Sequence, residues 1–131
     1  MTLKELLEAV SKLKGWKSTA EQGVAGLDVP QAGNRRQFVS LVEFKDDSHP
    51  MVRCTTRIGP AGQLEPSRLR SALELNSRLP HGCLAVDGAH LVMTVTRPLG
   101  TTTPQTTGDA VEFIARQADQ YEKLIFKTDV H

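Results

Sequence analysis

The chain has 131 residues, of which 39% are hydrophobic and 24% are charged. This length and composition predict one globular domain over residues 1–131. The 16 basic and 15 acidic residues leave a net charge of +1, which excludes a strong electrostatic attraction to nucleic acid or to an anionic membrane. No run reaches the roughly 20 apolar residues of a membrane span, and the N-terminal segment is charged and amphipathic rather than a signal peptide, so we expect a cytoplasmic protein.

The first predicted element is a helix over residues 3–14. Thr2 and Glu5 have the spacing of a capping box at its start, and Gly15 ends the pattern. Apolar residues recur at intervals of three and four along this segment, which indicates one buried face. The apolar residues are Leu3, Leu6, Leu7, Val10 and Leu13.

Three strands are predicted between residues 23 and 59, where the apolar period shortens toward two. Turn-forming residues at 30–34 and 45–50 separate them. The second of these strands is apolar on both sides, because Phe38 and Val42 have one parity while Val39 and Leu41 have the other. We therefore expect both of its sides to be covered.

A second helix is predicted over residues 66–79, and two further strands joined by a hairpin turn at Asp87 and Gly88 follow it. After a threonine-rich connector at 100–107, helical spacing returns in a third helix. The strands occur in hairpin groups rather than in alternation with helices. We therefore predict the α+β class, in the order α-β-β-β-α-β-β-α, with a five-stranded antiparallel sheet and the helices packed on one face.

Asn76 lies on the apolar stripe of the second helix, where a buried amide needs a hydrogen-bond partner. Two partners are open: the local backbone near the end of the helix, or a polar contact across a subunit interface. Leu75 lies beside the stripe, and one strand is apolar on both sides. Together they indicate surface that one copy cannot cover with its own helices, which predicts dimerisation.

Few residues in the chain suggest catalysis or metal binding. Asp46, Asp47 and His49 offer three potential metal ligands, but the same string is typical of a polar hairpin turn before Pro50. The glycines lack the spacing of a phosphate-binding loop. We therefore expect a turn here, and no metal or cofactor.

His81 and Cys83 are near neighbours and invite comparison with a nucleophile and its base. Side chains two apart in a strand do not hydrogen-bond to each other, however, and no Asn or Asp is placed to orient the histidine. Cys54 and Cys83 both lie in strand segments, where small thiols are commonly inert packing residues. We expect the protein not to be an enzyme.

The third predicted strand has one apolar side, with Cys54 and Ile58, and one polar side, with Arg53 and Arg57. Arg36 on the adjoining strand joins these arginines in a cationic stripe if the register allows it. The stripe could bind an anion or an acidic peptide, or it could be a solvated face that blocks edge pairing. The six aromatic residues of the chain offer no stacking platform for nucleic acid.

A family resemblance rests on the string from Leu75 to Gly82, followed by Val86-Asp87-Gly88, Leu91 and Arg97-Pro98-Leu99. These residues and the order of elements resemble the type III secretion chaperone-like superfamily, in particular its YbjN-like branch of small bacterial proteins. The local match covers residues 66–126. The resemblance implies the fold predicted above, a homodimer built around the second helix, and no catalytic residues.

The resemblance also implies a way of binding. Secretion chaperones of this type hold an extended amphipathic segment of an effector through apolar patches on the first helix and the sheet. The partner-binding residues expected from this are Leu3, Leu7, Val10, Phe38 and Val39. The residues expected at the dimer interface are Leu69, Leu73, Leu75 and Asn76. Such chaperones are typically acidic, whereas this chain has a net charge of +1, which favours the YbjN-like branch.

The sequence thus predicts a non-enzymatic, homodimeric protein-binding module, chaperone-like or regulatory, with an unidentified protein partner. The alternative hypothesis is a small-molecule or anion-binding domain that uses the cationic sheet face of Arg36, Arg53 and Arg57. We expect neither nucleic acid nor a membrane as a partner.

Overall fold

The chain begins with helix α1 (Leu3–Lys14) in the computed structural model, which describes residues 1–126. The Thr2 hydroxyl accepts a hydrogen bond from the N–H of Glu5 at 3.1 Å, and the Glu5 carboxylate accepts one from the N–H of Thr2 at 2.8 Å. Gly15 ends the helix at a φ of 74°, in the left-handed region that favours glycine. The predicted helix and its capping box are confirmed. Residues 127–131 of the predicted domain lie outside the described residues.

One antiparallel sheet contains all the strands of residues 1–126. The strands are β1 (Lys17–Glu21), β2 (Val24–Pro30), β3 (Arg36–Asp46), β4 (His49–Pro60), β5 (Cys83–Asp87) and β6 (His90–Pro98), and they lie in the order β1-β2-β3-β4-β6-β5. The predicted α+β class with an antiparallel sheet is confirmed.

Strand β1 is absent from the sequence prediction, so the predicted count of five strands was wrong and the sheet has six. Its sequence, Lys-Ser-Thr-Ala-Glu, contains no large apolar side chain and is largely exposed. Gln22 and Gly23 have φ values of 52° and 80°, the mark of a type I′ turn that pairs β1 with β2. This strand is set by turn geometry and has no alternation of apolar and polar residues, so apolar periodicity could not predict it.

The remaining helices differ from the prediction at their ends. Helix α2 (Pro66–Glu74) gives way to a 3₁₀ turn at Leu75–Arg78, so the predicted second helix tightens in its last turn. Helix α3 (Pro104–Tyr121) begins inside the threonine-rich connector, because Thr103 caps it and Pro104 occupies its first turn. A π-helical turn, Glu122–Phe126, continues α3.

The helices and one face of the sheet enclose the hydrophobic core. Helix α3 packs on β3, β4 and β6, and α1 packs beside α3 over the first three strands. On β3, Val39 and Leu41 point into this core and are buried. Phe38, Val42 and Phe44 lie on the opposite side, where the described residues provide no covering helix. The chain's own helices therefore cover one side of this strand and not the other, in line with the predicted surface that one copy cannot cover, and the cover by a second copy stays a prediction.

Candidate protein-interaction surfaces

A side chain closes the edge of the sheet at Leu84 of β5. The amide of Asn76 donates to the carbonyl oxygen of Leu84 at 3.1 Å, and its oxygen accepts from the N–H of Leu84 at 2.6 Å. Asn76 thus takes the place of a neighbouring strand at this residue. Of the two partners left open by the sequence, the structure shows backbone of the same chain, although in β5 and not in the helix itself.

The other edge, at β1, has no such cover among residues 1–126. In a two-residue hairpin the pair next to the turn, here Glu21 and Val24, is hydrogen-bonded, and bonded and non-bonded pairs alternate beyond it. The N–H and C=O groups of Ser18 and Ala20 therefore point away from β2. Both residues are exposed, so their backbone can accept another strand.

The predicted partner-binding residues are not gathered in one place. Leu7, Val10 and Val39 are 7%, 0% and 0% exposed and fill the core, so they are closed to a partner in this chain. Leu3 and Phe38 are half-buried, but Leu3 lies on the helix side of the sheet and Phe38 on the opposite face. Apolar periodicity predicts which residues of a strand share a face. It does not predict which face is covered when both faces are apolar.

The predicted dimer residues lie on α2 and the turn that follows it. Leu73 is 43% exposed, while Leu69 and Leu75 are half-buried against the core. Val86 on β5, which contacts α2, is 51% exposed and forms a second apolar surface that the sequence prediction did not include. Leu73 and Val86 are the apolar side chains that a second copy can reach in this region.

The three predicted anion-binding arginines share the face of the sheet opposite the helices, which we call the outer face. Arg53 lies with its guanidinium 4.2 Å from the ring centre of Phe44, and its Nε donates to the Thr96 hydroxyl at 3.3 Å. Arg36 is paired with Asp28 at 3.5 Å. The three arginines thus share one face of the sheet, the continuous stripe stays a prediction, and Phe44 is the contact that sequence reasoning missed.

A cavity of about 560 Å³ lies between α3 and the connection from β2 to β3. At its edge the Arg35 guanidinium donates to both carboxylate oxygens of Asp119, at 3.1 and 2.7 Å. This hydrogen bonding lowers the pKa of Asp119 below its usual value. This ion pair joins the β2–β3 connection to α3.

Packing or turn geometry explains His81, Cys54 and the Asp46–His49 string, whereas Cys83 is exposed and not the packing residue that the sequence predicted. The His81 ring meets Phe113 edge-on at 5.3 Å. Burial raises the pKa of Cys54 to about 12, which disfavours the reactive thiolate. Asp47 and Ser48 have φ values of 50° and 72° and form the predicted hairpin turn between β3 and β4. The described part of the chain contains no group of three His, Cys, Asp or Glu side chains that could hold a metal ion.

Comparison with solved structures identifies the fold. The chain is similar to the Yersinia pestis type III secretion chaperone SycH, solved with a stable fragment of YscM2, with a TM-score of 0.61, 16% identity, and 91% of this chain and 98% of that chain covered. It is also similar to a chain of the ExsC–ExsE complex, with a TM-score of 0.63, 10% identity, and 95% and 97% covered. A third match is a chain of the HopA1–SchA chaperone–effector complex, with a TM-score of 0.57, 10% identity, and 95% and 93% covered.

These matches span nearly the full length of each chain, so the type III secretion chaperone fold that the sequence resemblance implied is confirmed. At 10–16% identity they establish the fold and no more. No protein-family model matches the chain, and no curated protein does. Across residues 1–126, none of the helices is long and apolar enough to cross a membrane.

Proposed function

We propose that this chain is a cytoplasmic, non-enzymatic homodimer that binds an extended segment of a partner protein, as a regulatory member of the YbjN-like branch. The observation that carries the proposal is the open β1 edge in a fold shared with chains solved in protein complexes. The net charge of +1 supports the YbjN-like branch over effector secretion.

The β1 edge suits the addition of a strand. The outward backbone groups of Ser18 and Ala20 offer hydrogen bonds to an extended peptide, which give affinity without a specific side-chain sequence. Leu3 and Trp16, both half-buried at the surface of the core, lie on α1 and immediately before β1 and offer apolar contacts for the partner's alternate side chains. Of the predicted partner-binding residues on α1, we keep Leu3 in the proposed site.

The proposed dimer uses the region of α2 and β5. Leu73 and Val86 are both exposed there, and Leu69 and Leu75 lie at its border with the core. Burial of exposed leucine and valine side chains stabilises an interface by about 25 cal/mol per Å² of apolar surface. Because Asn76 already occupies the β5 edge, we propose that the copies meet through side chains and not by pairing of the β5 strands.

A small-molecule or anion site on the arginine stripe is the weaker candidate. Arg36 is neutralised by Asp28. Small ligands bind in concave sites. Arg36, Arg53 and Arg57 do not line the cavity between α3 and the β2–β3 connection, nor the cavity beside His81 and Arg97.

The edge proposal is tested by photo-crosslinking in the native cell, with p-benzoylphenylalanine at Ala20 on the open edge and at Val86 on the closed edge. We expect a partner protein to be attached from Ala20, whereas Val86, which lies in the proposed dimer interface, should attach only a second copy of this chain. Ser18→Pro removes an N–H that faces solvent and should abolish the attachment while the free energy of unfolding changes by less than about 1 kcal/mol. Attachment of the partner that is equal from both edges, or unchanged by Ser18→Pro, contradicts strand addition.

The dimer is tested by light scattering at micromolar concentration. We expect the mass of two chains for the wild type and of one chain for Leu73→Asp. Leu13→Asp is the matched control, because Leu13 is 51% exposed on α1 and lies outside the proposed interface. A monomeric wild type would contradict the proposed dimer, and a Leu73→Asp variant that remains dimeric would contradict an interface at α2.

A further inference from the structure

The outer face carries an apolar row next to a cationic row. On β3 the apolar row consists of Phe38, Val42 and Phe44, and on β4 the cationic row consists of Arg53 and Arg57. The register places Val42 directly opposite Arg53. We call these five residues the outer patch.

The apolar row is accessible although its neighbours are part of a sheet. Val42 is 45% exposed, and Phe38 and Phe44 are half-buried. Phe38 lies over Gly26 of the next strand, where an added Cβ would come within 2.6 Å of the ring. Gly26 thus leaves room for the Phe38 ring beside β2.

The cationic row keeps its charge. Arg53 is held by the Phe44 ring at 4.2 Å and by the Thr96 hydroxyl at 3.3 Å, and neither contact neutralises it. Arg57 is exposed and has no carboxylate partner among residues 1–126. Arg36, by contrast, is paired with Asp28, so the unneutralised stripe ends before it. A preorganised arginine loses less side-chain entropy when it binds a carboxylate.

We propose that the outer patch binds an acidic amphipathic segment of a partner protein. Its apolar side chains would lie on Phe38 and Val42, and its carboxylates would meet Arg53 and Arg57. This inference rests on the proposed protein-binding function and adds the chemistry of the partner. Charge complementarity next to an apolar row selects such a segment over a purely apolar or a basic one.

Other occupants fit less well. A second copy seated here by two-fold symmetry would bring the arginines of both outer patches into one interface without a carboxylate of either patch to pair them, and like charges repel. Nucleic acid binds through many phosphate contacts, whereas the outer patch has two arginines and the chain a net charge of +1. The Phe44 ring is already covered by Arg53 and leaves no face for a base to stack on.

The test uses two fluorescein-labelled peptides of identical length and identical Leu and Phe positions, with Glu at every polar position of one and Lys at those of the other. Fluorescence anisotropy measures the Kd for the purified protein. We expect the Glu peptide to bind the wild type and the Lys peptide not to. Arg53→Gln/Arg57→Gln should raise the Kd of the Glu peptide by about tenfold, as expected for the loss of two surface charge contacts.

The matched control is Lys4→Gln/Arg70→Gln, which makes the same change of net charge at exposed positions away from the outer patch. It should alter the Kd by less than about twofold, and Arg53→Lys/Arg57→Lys should restore most of the binding. Circular dichroism confirms that each variant is folded. An unchanged Kd in Arg53→Gln/Arg57→Gln, or equal weakening in the control, overturns the proposal.

Two further outcomes distinguish the alternatives. Binding of phosphatidylserine vesicles or of a thymidine oligonucleotide that depends on Arg53 and Arg57, without binding of the Glu peptide, overturns the proposal in favour of a polyanion surface. Ser18→Pro should leave the Kd of the Glu peptide unchanged. If the Ala20 crosslink is retained and the Glu peptide fails to bind, the outer-patch proposal fails alone; if both are absent, the proposed function fails with it.

Discussion

The two edges of the sheet limit unwanted pairing with other chains in opposite ways. Strands β1 and β5 each have five residues, but β1 is polar and largely exposed, whereas β5 buries Leu84 to 2% exposure. The apolar edge is closed by Asn76, and the polar edge is left open between Lys17 and Glu21. An exposed apolar edge promotes aggregation, while charged residues on an edge suppress indiscriminate pairing. The comparison shows that a sheet edge can be left open if its side chains are polar.

The largest expected effect is at the closed edge. Asn76→Ala removes both hydrogen bonds to Leu84 and leaves a buried N–H and C=O without partners. We expect the free energy of unfolding to fall by about 2–3 kcal/mol, because each unpaired backbone group costs roughly 1–3 kcal/mol. Urea denaturation measures the loss, and light scattering should show larger species as the β5 edge opens.

The control for this variant is Ser77→Ala, next in the chain. Ser77 donates a single exposed hydrogen bond to the carbonyl of Glu74, so its loss should cost less than about 0.5 kcal/mol. If Asn76→Ala is as mild as Ser77→Ala, the amide does not close the edge and the contrast between the two edges disappears.

The second prediction concerns the ion pair between Arg35 and Asp119, which joins the strands near the open edge to α3. Asp119→Asn weakens the two hydrogen bonds from Arg35, which join the β2–β3 connection to α3. We expect a loss of about 1 kcal/mol at pH 7, a value lowered because the Arg35 side chain is 37% exposed and screened by solvent. Hydrogen exchange should speed up at the end of β2 and remain unchanged in β5.

This loss should depend on pH in a definite direction. The folded-state pKa of Asp119 is lowered, chiefly by the hydrogen bond from Arg35. The carboxylate therefore contributes its full stability above the unfolded pKa of about 3.9 and loses it as the pH falls through the lower folded value. The difference between wild type and Asp119→Asn should shrink below about pH 4. A difference that grows there would contradict the ion-pair account.

The smallest expected effect is at the turn that builds the open edge. Gln22 has a φ of 52°, which Asn tolerates better than Gln, and Asn-Gly is the preferred type I′ sequence. Gln22→Asn should therefore stabilise the protein by about 0.5 kcal/mol, measured by thermal unfolding. Thr2→Asn serves as the control, since this N-cap change keeps the helix cap and should be near neutral. A destabilised Gln22→Asn variant would mean that β1 is not held by this turn.

Much of the fold could be predicted because its signals are local. Thr2, Glu5 and Gly15 mark both ends of α1, and alternation marks β3 and β4. The candidate site was less predictable. Period identified Val10 and Val39 as apolar face residues, but a buried residue and a binding residue have the same pattern in a sequence.

By itself, the sequence determined the α+β class, the antiparallel hairpins and the residues with apolar faces, because capping, turn chemistry and periodicity act over a few neighbouring residues. Only the tertiary structure decided which face of β3 is covered, that β1 is a strand, and that Asn76 closes one edge. Asn76 and Leu84 are 8 residues apart and Arg35 and Asp119 are 84 apart. Such contacts depend on register and packing, which no local pattern encodes.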